Sequence, residues 1–268
     1  MASHHVLLVG GHGKIAQLLT PLLLKRSWTV TSVIRTAEQT PAIEKLGAGL
    51  PGKLNVLVRS IEDIDSRDKA LGVLSEVQPD YVAWSAGNIG AGGKGGAERT
   101  FKVDRDAAVH LIEAAASVPS ITKFLLISYL GSRRAGAPWW PAGEWDDFHE
   151  KVNNGALANY YKAKIEADDV LYKVSKKSPS LVGINLRPGT LNDKPATKVE
   201  LGKTKHISSP DGISREAVAE VASHLLAADG VKNGWYDLLD GNEDIPAAVD
   251  RVVKEGVDAA QGEAIYTA

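Results

Sequence analysis

The segment Tyr160–Tyr161–Lys162–Ala163–Lys164 sets a phenol and an ammonium four residues apart, one turn along one face of a helix. A phenol with an ordinary pKa of roughly 10 is a weak acid at neutral pH. A neighbouring cation favours the phenolate and brings the group toward the range in which it can work as a general acid or base. The same spacing recurs at Tyr172 and Lys176. A helix antiparallel to the strands of a parallel sheet separates the two copies, because its first turn lies at the carboxyl edge and Tyr172 lies about 18 Å further along. Only Tyr160 and Lys164 are then placed to reach a ligand at that edge.

A ligand there needs a cradle, and the N-terminal stretch VLLVGGHGKIA has the form of one. A short apolar run breaks into glycines and then into the helical pattern Ile15, Leu18, Leu19, Leu22, Leu23. Gly10, Gly13 and Ala16 keep the spacing of a dinucleotide-binding turn, in which small residues let the backbone approach a pyrophosphate and the helix pack on the strand. Exposed N–H groups and the helix dipole attract the phosphates. The next strand, Thr29–Ile34, ends in Arg35 with no carboxylate before Glu38. An NAD site wants an acid at that point, whereas Arg35, with Lys14 as a second cation, suits a 2′-phosphate. NADP is therefore expected and NAD is the lesser expectation.

The chain has 268 residues, 44% hydrophobic and 24% charged, which is ample for one sizeable core. A net charge of −2 leaves no basic footprint for nucleic acid or an anionic membrane and favours a small-molecule partner. Without cysteine there is no disulfide, thiolate metal site or thiol switch. The seven histidines form no ligand-spaced pair on a helix, so no metal site is expected. The start MASHHVLL lacks a basic leader pattern and no apolar run is long enough to span a bilayer, which makes the cytoplasm the expected location.

Along the chain, strands are expected at Leu54–Val58, Tyr81–Ser85, Lys123–Ser128 and Leu181–Leu186, alternating with helices at Ser66–Val77, Phe101–Val118 and Asn159–Lys176. That alternation predicts an α/β fold with a doubly wound parallel sheet. The glycine-rich loop Gly87–Gly96 falls at the carboxyl end of a strand, where ligands sit in such sheets. Beyond Arg187 a short strand near His206–Ser208, a helix at Ser214–Ala228, a strand at Trp235–Leu239 and a final helix from Ile245 are expected. No linker divides residues 1–268, so a single Rossmann domain is expected, with a small substrate lobe built from residues 129–159 and 190–268. The first of these segments holds Trp139, Trp140 and Trp145 and is expected to cover the substrate with an apolar wall.

GGHGKIA, Ser128 at the end of the fifth strand, YYKAKIEAD and INLRPGTL together resemble the short-chain dehydrogenase/reductase superfamily in its extended and atypical NAD(P)-binding branches, over nearly the whole chain. The resemblance implies hydride transfer with Tyr160 as general acid, Lys164 lowering its pKa and holding the nicotinamide ribose, and Ser128 steadying the substrate oxygen. The implied cofactor-binding set is Gly10, Gly13, Lys14, Ile15, Arg35, Ser60, Ile61, Ala86, Gly87, Lys164, Pro188, Gly189 and Thr190. Ser60–Ile61 departs from the acidic-apolar pair frequent after the third strand, and Asp104 stands where an asparagine is common. Ser128 and Tyr160 are also further apart than usual. The expected function is an NADP-dependent reductase or dehydrogenase on a small carbonyl or alcohol, as a monomer or homodimer. The alternatives are a dinucleotide sensor resembling NmrA-like regulators, and an epimerase or isomerase on the same scaffold.

Overall fold

The computed structural model describes residues 3–87 and 96–267. Its first half runs β1 (His5–Val9), α1 (Lys14–Lys25), β2 (Thr29–Ile34), α2 (Thr40–Glu44), β3 (Lys53–Val58), α3 (Arg67–Val77), β4 (Tyr81–Trp84), α4 (Gly96–Thr100), α5 (Ala108–Ala116) and β5 (Lys123–Ile127). It continues with α6 (Glu144–Phe148), α7 (Ala158–Lys177), β6 (Val182–Pro188), β7 (Leu191–Asn192), β8 (Val199–Gly202), β9 (Ile213–Ser214), α8 (Arg215–Ala227), β10 (Gly234–Asp240), α9 (Ile245–Glu255) and α10 (Ala264–Thr267). The glycine-rich loop expected at the ligand edge lies outside the described residues over 88–95.

Eight strands form the main sheet in the order β3-β2-β1-β4-β5-β6-β10-β8, and only the β10–β8 pair is antiparallel. This is the doubly wound α/β architecture that the alternation predicts. Successive side chains of a strand point to opposite faces, and β1 shows why both faces are covered. Val6 and Leu8 pack with Leu19 and Leu23 of α1 and Val218 and Val221 of α8. Leu7 and Val9 pack on the other side with Val73 of α3, Leu111 of α5 and Leu171 of α7. Each of these side chains is at most 2% exposed, worth roughly 1.5–3 kcal/mol for a full-sized aliphatic. The sequence order reverses between β1 and β4, leaving a crevice at their carboxyl ends.

Three local differences have physical causes. The next main-sheet strand after β6 is Val199–Gly202 rather than His206–Ser208, because Val199 and Leu201 can be buried as an alternating edge beside β10. His206 instead faces solvent and contacts Glu144, while Ile207 is buried among Leu130, Trp140 and Leu239. The helix expected over Phe101–Val118 starts earlier and passes through wider turns at Phe101–Ala107, which bury Asp104. Residues 129–159 contain α6 and further wide turns at His149–Ala156, broken at the non-helical Gly155.

Candidate active site

Where the strands end, the chain forms two neighbouring cavities. The first, of about 270 Å³, lies at the ends of β1 to β4 and is lined by Gly10, Gly13, Arg35, Ser60, Ile61 and Gly87, among others. The glycine turn is shaped by close approach. Gly10 has φ +83°, and a Cβ there would fall 2.7 Å from the Ala86 Cα. A Cβ on Gly13 would meet the Gly10 carbonyl oxygen at 3.1 Å. The turn therefore brings bare backbone to the mouth of α1, with Ala86 also lining the cavity, and these residues fit a dinucleotide pyrophosphate.

The second cavity, of about 340 Å³, lies at the ends of β5 and β6. Ser128, Tyr160, Pro188, Gly189 and Thr190 line it, so these expected site residues are brought together. A Cβ on Gly87 would fall 3.1 Å from Asp104 Oδ1 and 3.9 Å from the Tyr160 hydroxyl. Gly87 thus belongs to the wall of the first cavity and lies near the hydroxyl of Tyr160, a wall residue of the second. A ligand extended from one cavity into the other passes this point.

Tyr160 stands in the first turn of α7 with its ring 5.2 Å from that of Tyr129. Burial pushes its phenol well above the ordinary value, and the Asp104 carboxylate adds to the effect, followed by Tyr129 and Asp168. This reverses the expectation that Lys164 lowers it. Lys164 is fully buried and its ammonium donates to the Ile127 carbonyl, 2.9 Å away, at the end of β5. The phenol here is a protonated hydrogen-bond donor at neutral pH.

Ser128 Oγ donates to Asp168 Oδ2 at 2.7 Å. Asp168 lies one turn beyond Lys164 on α7 and opens a buried chain of charges. Arg187 stands 3.9 Å from Asp168 and 2.8 Å from Asp237, and donates to the carbonyls of Ser132 and Leu130. Arg133 lies 3.8 Å from Asp237 and 3.5 Å from Glu263, near the rings of Trp139, Trp140 and Trp235. Burial pushes the Asp168 and Asp237 carboxyls up while the arginines oppose it. Buried charges need partners, and this network supplies them, joining the end of β5 to the segment after α9.

Several expected residues lie elsewhere. Lys14 does not join Arg35 in lining the first cavity: its ammonium is 2.6 Å from Asp193. Ile15 is buried in the core on α1. The tryptophans do not face the second cavity either. Trp139 and Trp140 both donate from Nε1 to the Thr204 carbonyl, and Trp145 stacks between Trp140 and His149. Residues 129–159 do wall the cavity, but through Tyr129, Phe148, Val152 and Leu157. Glu62 and Arg99, paired at 2.8 Å, line the first cavity and were not singled out by sequence reasoning. Arg99 follows the glycine-rich loop without any motif around it, and only the fold brings it to Glu62.

A family model described as NAD(P)H-binding matches residues 10–229. A UPF0659 protein from Schizosaccharomyces pombe is 33% identical over 263 residues, covering 96% of each chain. A Bacillus subtilis protein named an uncharacterized sugar epimerase is 29% identical over 249 residues, covering 92% of this chain and 99% of that one. A solved Bacillus halodurans structure, described as an NAD-dependent epimerase/dehydratase, is 25% identical with a TM-score of 0.70, over 93% of this chain and 100% of that one.

Proposed function

The chain belongs to the NAD(P)H-binding family, of the short-chain dehydrogenase/reductase type, and on that premise we propose that it is an NADP-dependent oxidoreductase acting on a small carbonyl or alcohol. The observation that carries this reading is the convergence at Gly87, where the wall of the glycine-lined cavity meets the Tyr160 hydroxyl. Gly10, Gly13, Ala86 and Arg35 would hold a nicotinamide dinucleotide, which when bound would supply or accept the hydride. Tyr160 holds the proton that the substrate oxygen gains on reduction, and its raised pKa keeps that proton in place at neutral pH. Ser128, whose hydrogen is committed to Asp168, offers its lone pairs to a hydroxyl of the bound substrate or product. Lys164 fixes the end of β5 through the Ile127 carbonyl and so sets the position of Ser128.

NADP is favoured because Arg35 lines the first cavity while its guanidinium has no carboxylate partner among the described residues. A free guanidinium at the end of β2 matches a phosphate better than a ribose hydroxyl. An epimerase, as the B. subtilis relative is named, is the competing enzyme reading. Against it, the second cavity presents mainly apolar walls, whereas a sugar needs several polar partners.

Calorimetry with NADPH and NADH, followed by NADPH oxidation across a panel of aromatic and aliphatic aldehydes and ketones, tests the reading. Submicromolar to micromolar NADPH binding with turnover of panel members is expected. Tight NADPH binding without oxidation of any of them would favour the sensor.

A further inference from the structure

Arg215 is the only charged side chain among the described residues that line the second cavity. The remaining walls are apolar side chains such as Leu130, Phe148, Val152 and Ile207, with a few hydroxyls and glycines. Arg215 is the first residue of α8, and its side chain is only 20% exposed. Its guanidinium makes one hydrogen bond, from Nη1 to Asp193 Oδ1 at 2.6 Å. Nε and Nη2 have no hydrogen-bond partner among the described residues.

The geometry of Asp193 explains how the cation is held without being covered. Its other oxygen accepts from Lys14 at 2.6 Å, and the carboxylate is 58% exposed. Lys14 and Arg215 hold its carboxyl below the ordinary range. Asp193 is thus a solvent-side counterion that steers Arg215 from outside and uses one of five N–H donors. A cation placed at an apolar cavity costs desolvation, which is offset only when its donors are used. A carboxylate matches two guanidinium donors in a planar fork, which neither a carbonyl nor a hydroxyl can do.

We infer that the second cavity takes a substrate bearing a carboxylate, bound by Arg215, with an apolar body reaching from it toward Tyr160. The substrate class is then an apolar oxo acid or the corresponding hydroxy acid. The inference rests on the proposed function for the identity of the reacting end, while anion binding itself does not.

The test is equilibrium binding of hydrocinnamate and its neutral amide, hydrocinnamamide, to the full chain with and without saturating NADP. In the wild type the acid should bind about tenfold or more tighter than the amide. Arg215→Met should abolish that advantage while leaving amide binding unchanged. Asp193→Asn, a change at an exposed position, should strengthen acid binding by removing the negative charge that competes with the ligand for Arg215. Equal affinities for acid and amide in the wild type, undetectable binding of both included, would overturn the inference. So would a persisting advantage in Arg215→Met, or weaker acid binding in Asp193→Asn at unchanged melting temperature. Tyr160→Phe should leave the acid's advantage intact. Failure of NADPH oxidation beside an intact acid preference therefore removes the oxidoreductase reading and leaves the anion site standing.

Discussion

Ser128 donates its one hydroxyl hydrogen to the carboxylate of Asp168, 2.7 Å away inside the protein. The bond fixes what Ser128 can do, since a hydroxyl with its hydrogen spent can only accept on its other side. It also ties the cavity wall to Arg187, which holds Asp168 and Asp237 together. Removing Asp168 as Asp168→Ala should cost roughly 3–5 kcal/mol, the range for breaking a buried charged pair. Ser128→Ala should cost roughly 1–3 kcal/mol by leaving a buried acceptor unsatisfied. The double variant should lose at least about 1 kcal/mol less than the sum. Urea unfolding of the four proteins measures the cycle, and strict additivity would show that the two groups are not energetically coupled.

The two tyrosine–lysine pairs on α7 should behave differently. Tyr160→Phe removes the proton donor at the junction of the cavities, so turnover should fall by about 10²–10⁴ while NADPH affinity holds. Tyr172 instead donates to Asp258 at 2.8 Å, on the segment after α9. Tyr172→Phe should cost about 0.5–1.5 kcal/mol of stability and leave turnover unchanged. Equal kinetic damage from both changes at matched stability would contradict this division.

The sheet was legible because most strands of the nucleotide-binding half are short, largely apolar and buried, as His5–Val9 and Tyr81–Trp84 are, whereas the edge strand Lys53–Val58 is only partly buried. The glycine turn and the Tyr160 face of α7 were legible for a related reason: their spacing is short and local. What could not be read depended on long-range pairing. Nothing near Lys14 in sequence announces Asp193, and nothing near Ser128 announces Asp168. The Lys164 ammonium turns to the Ile127 carbonyl, a contact set by how α7 lies on β5 and not by the four-residue spacing. The edge strand at Val199–Gly202 escaped because only four residues alternate there, with Glu200 between the buried pair Val199 and Leu201.

Cofactor discrimination should follow Arg35 and not Lys14. Arg35→Ala should weaken NADPH binding by roughly 1.5–3 kcal/mol and leave NADH nearly unchanged. Lys14→Ala should alter the NADPH to NADH ratio little, because its ammonium is committed to Asp193. Calorimetry on the two variants decides between them. Equal affinities of the wild type for the two dinucleotides would remove the basis for NADP preference.

Alkaline stability should depend on Tyr81. Burial and the carboxylates of Asp80 and Asp229 push its phenol up to about 12, and Tyr172 and Tyr236 are raised as well. A group whose folded pKa lies above its unfolded value holds its contribution below the unfolded pKa and loses it as pH rises through the folded one. Unfolding free energy should therefore fall between about pH 10 and pH 12. Tyr81→Phe loses the hydroxyl contact with His4 but should fall less steeply over that window. An unchanged slope would show that Tyr81 does not carry it.

The walls of the second cavity should separate from the tryptophan cluster beside it. Trp140 is 8% exposed, packs with Leu130, Ile207 and Leu239, and donates to the Thr204 carbonyl. Its contacts are those of a core residue, so Trp140→Ala should cost roughly 3–5 kcal/mol. Phe148 sits at the end of α6, lines the cavity, and closes against Gly131, where an added Cβ would fall 2.5 Å from its Cε1. Only part of its ring area is lost to water, so Phe148→Ala should cost less stability than Trp140→Ala. Its effect should appear instead as a raised KM, or as weaker binding of hydrocinnamate. Thermal melts read beside binding isotherms distinguish the two residues. A Phe148→Ala protein that binds hydrocinnamate as the wild type does, beside a Trp140→Ala protein that melts normally and binds it poorly, would show that the tryptophans and not Phe148 face the substrate.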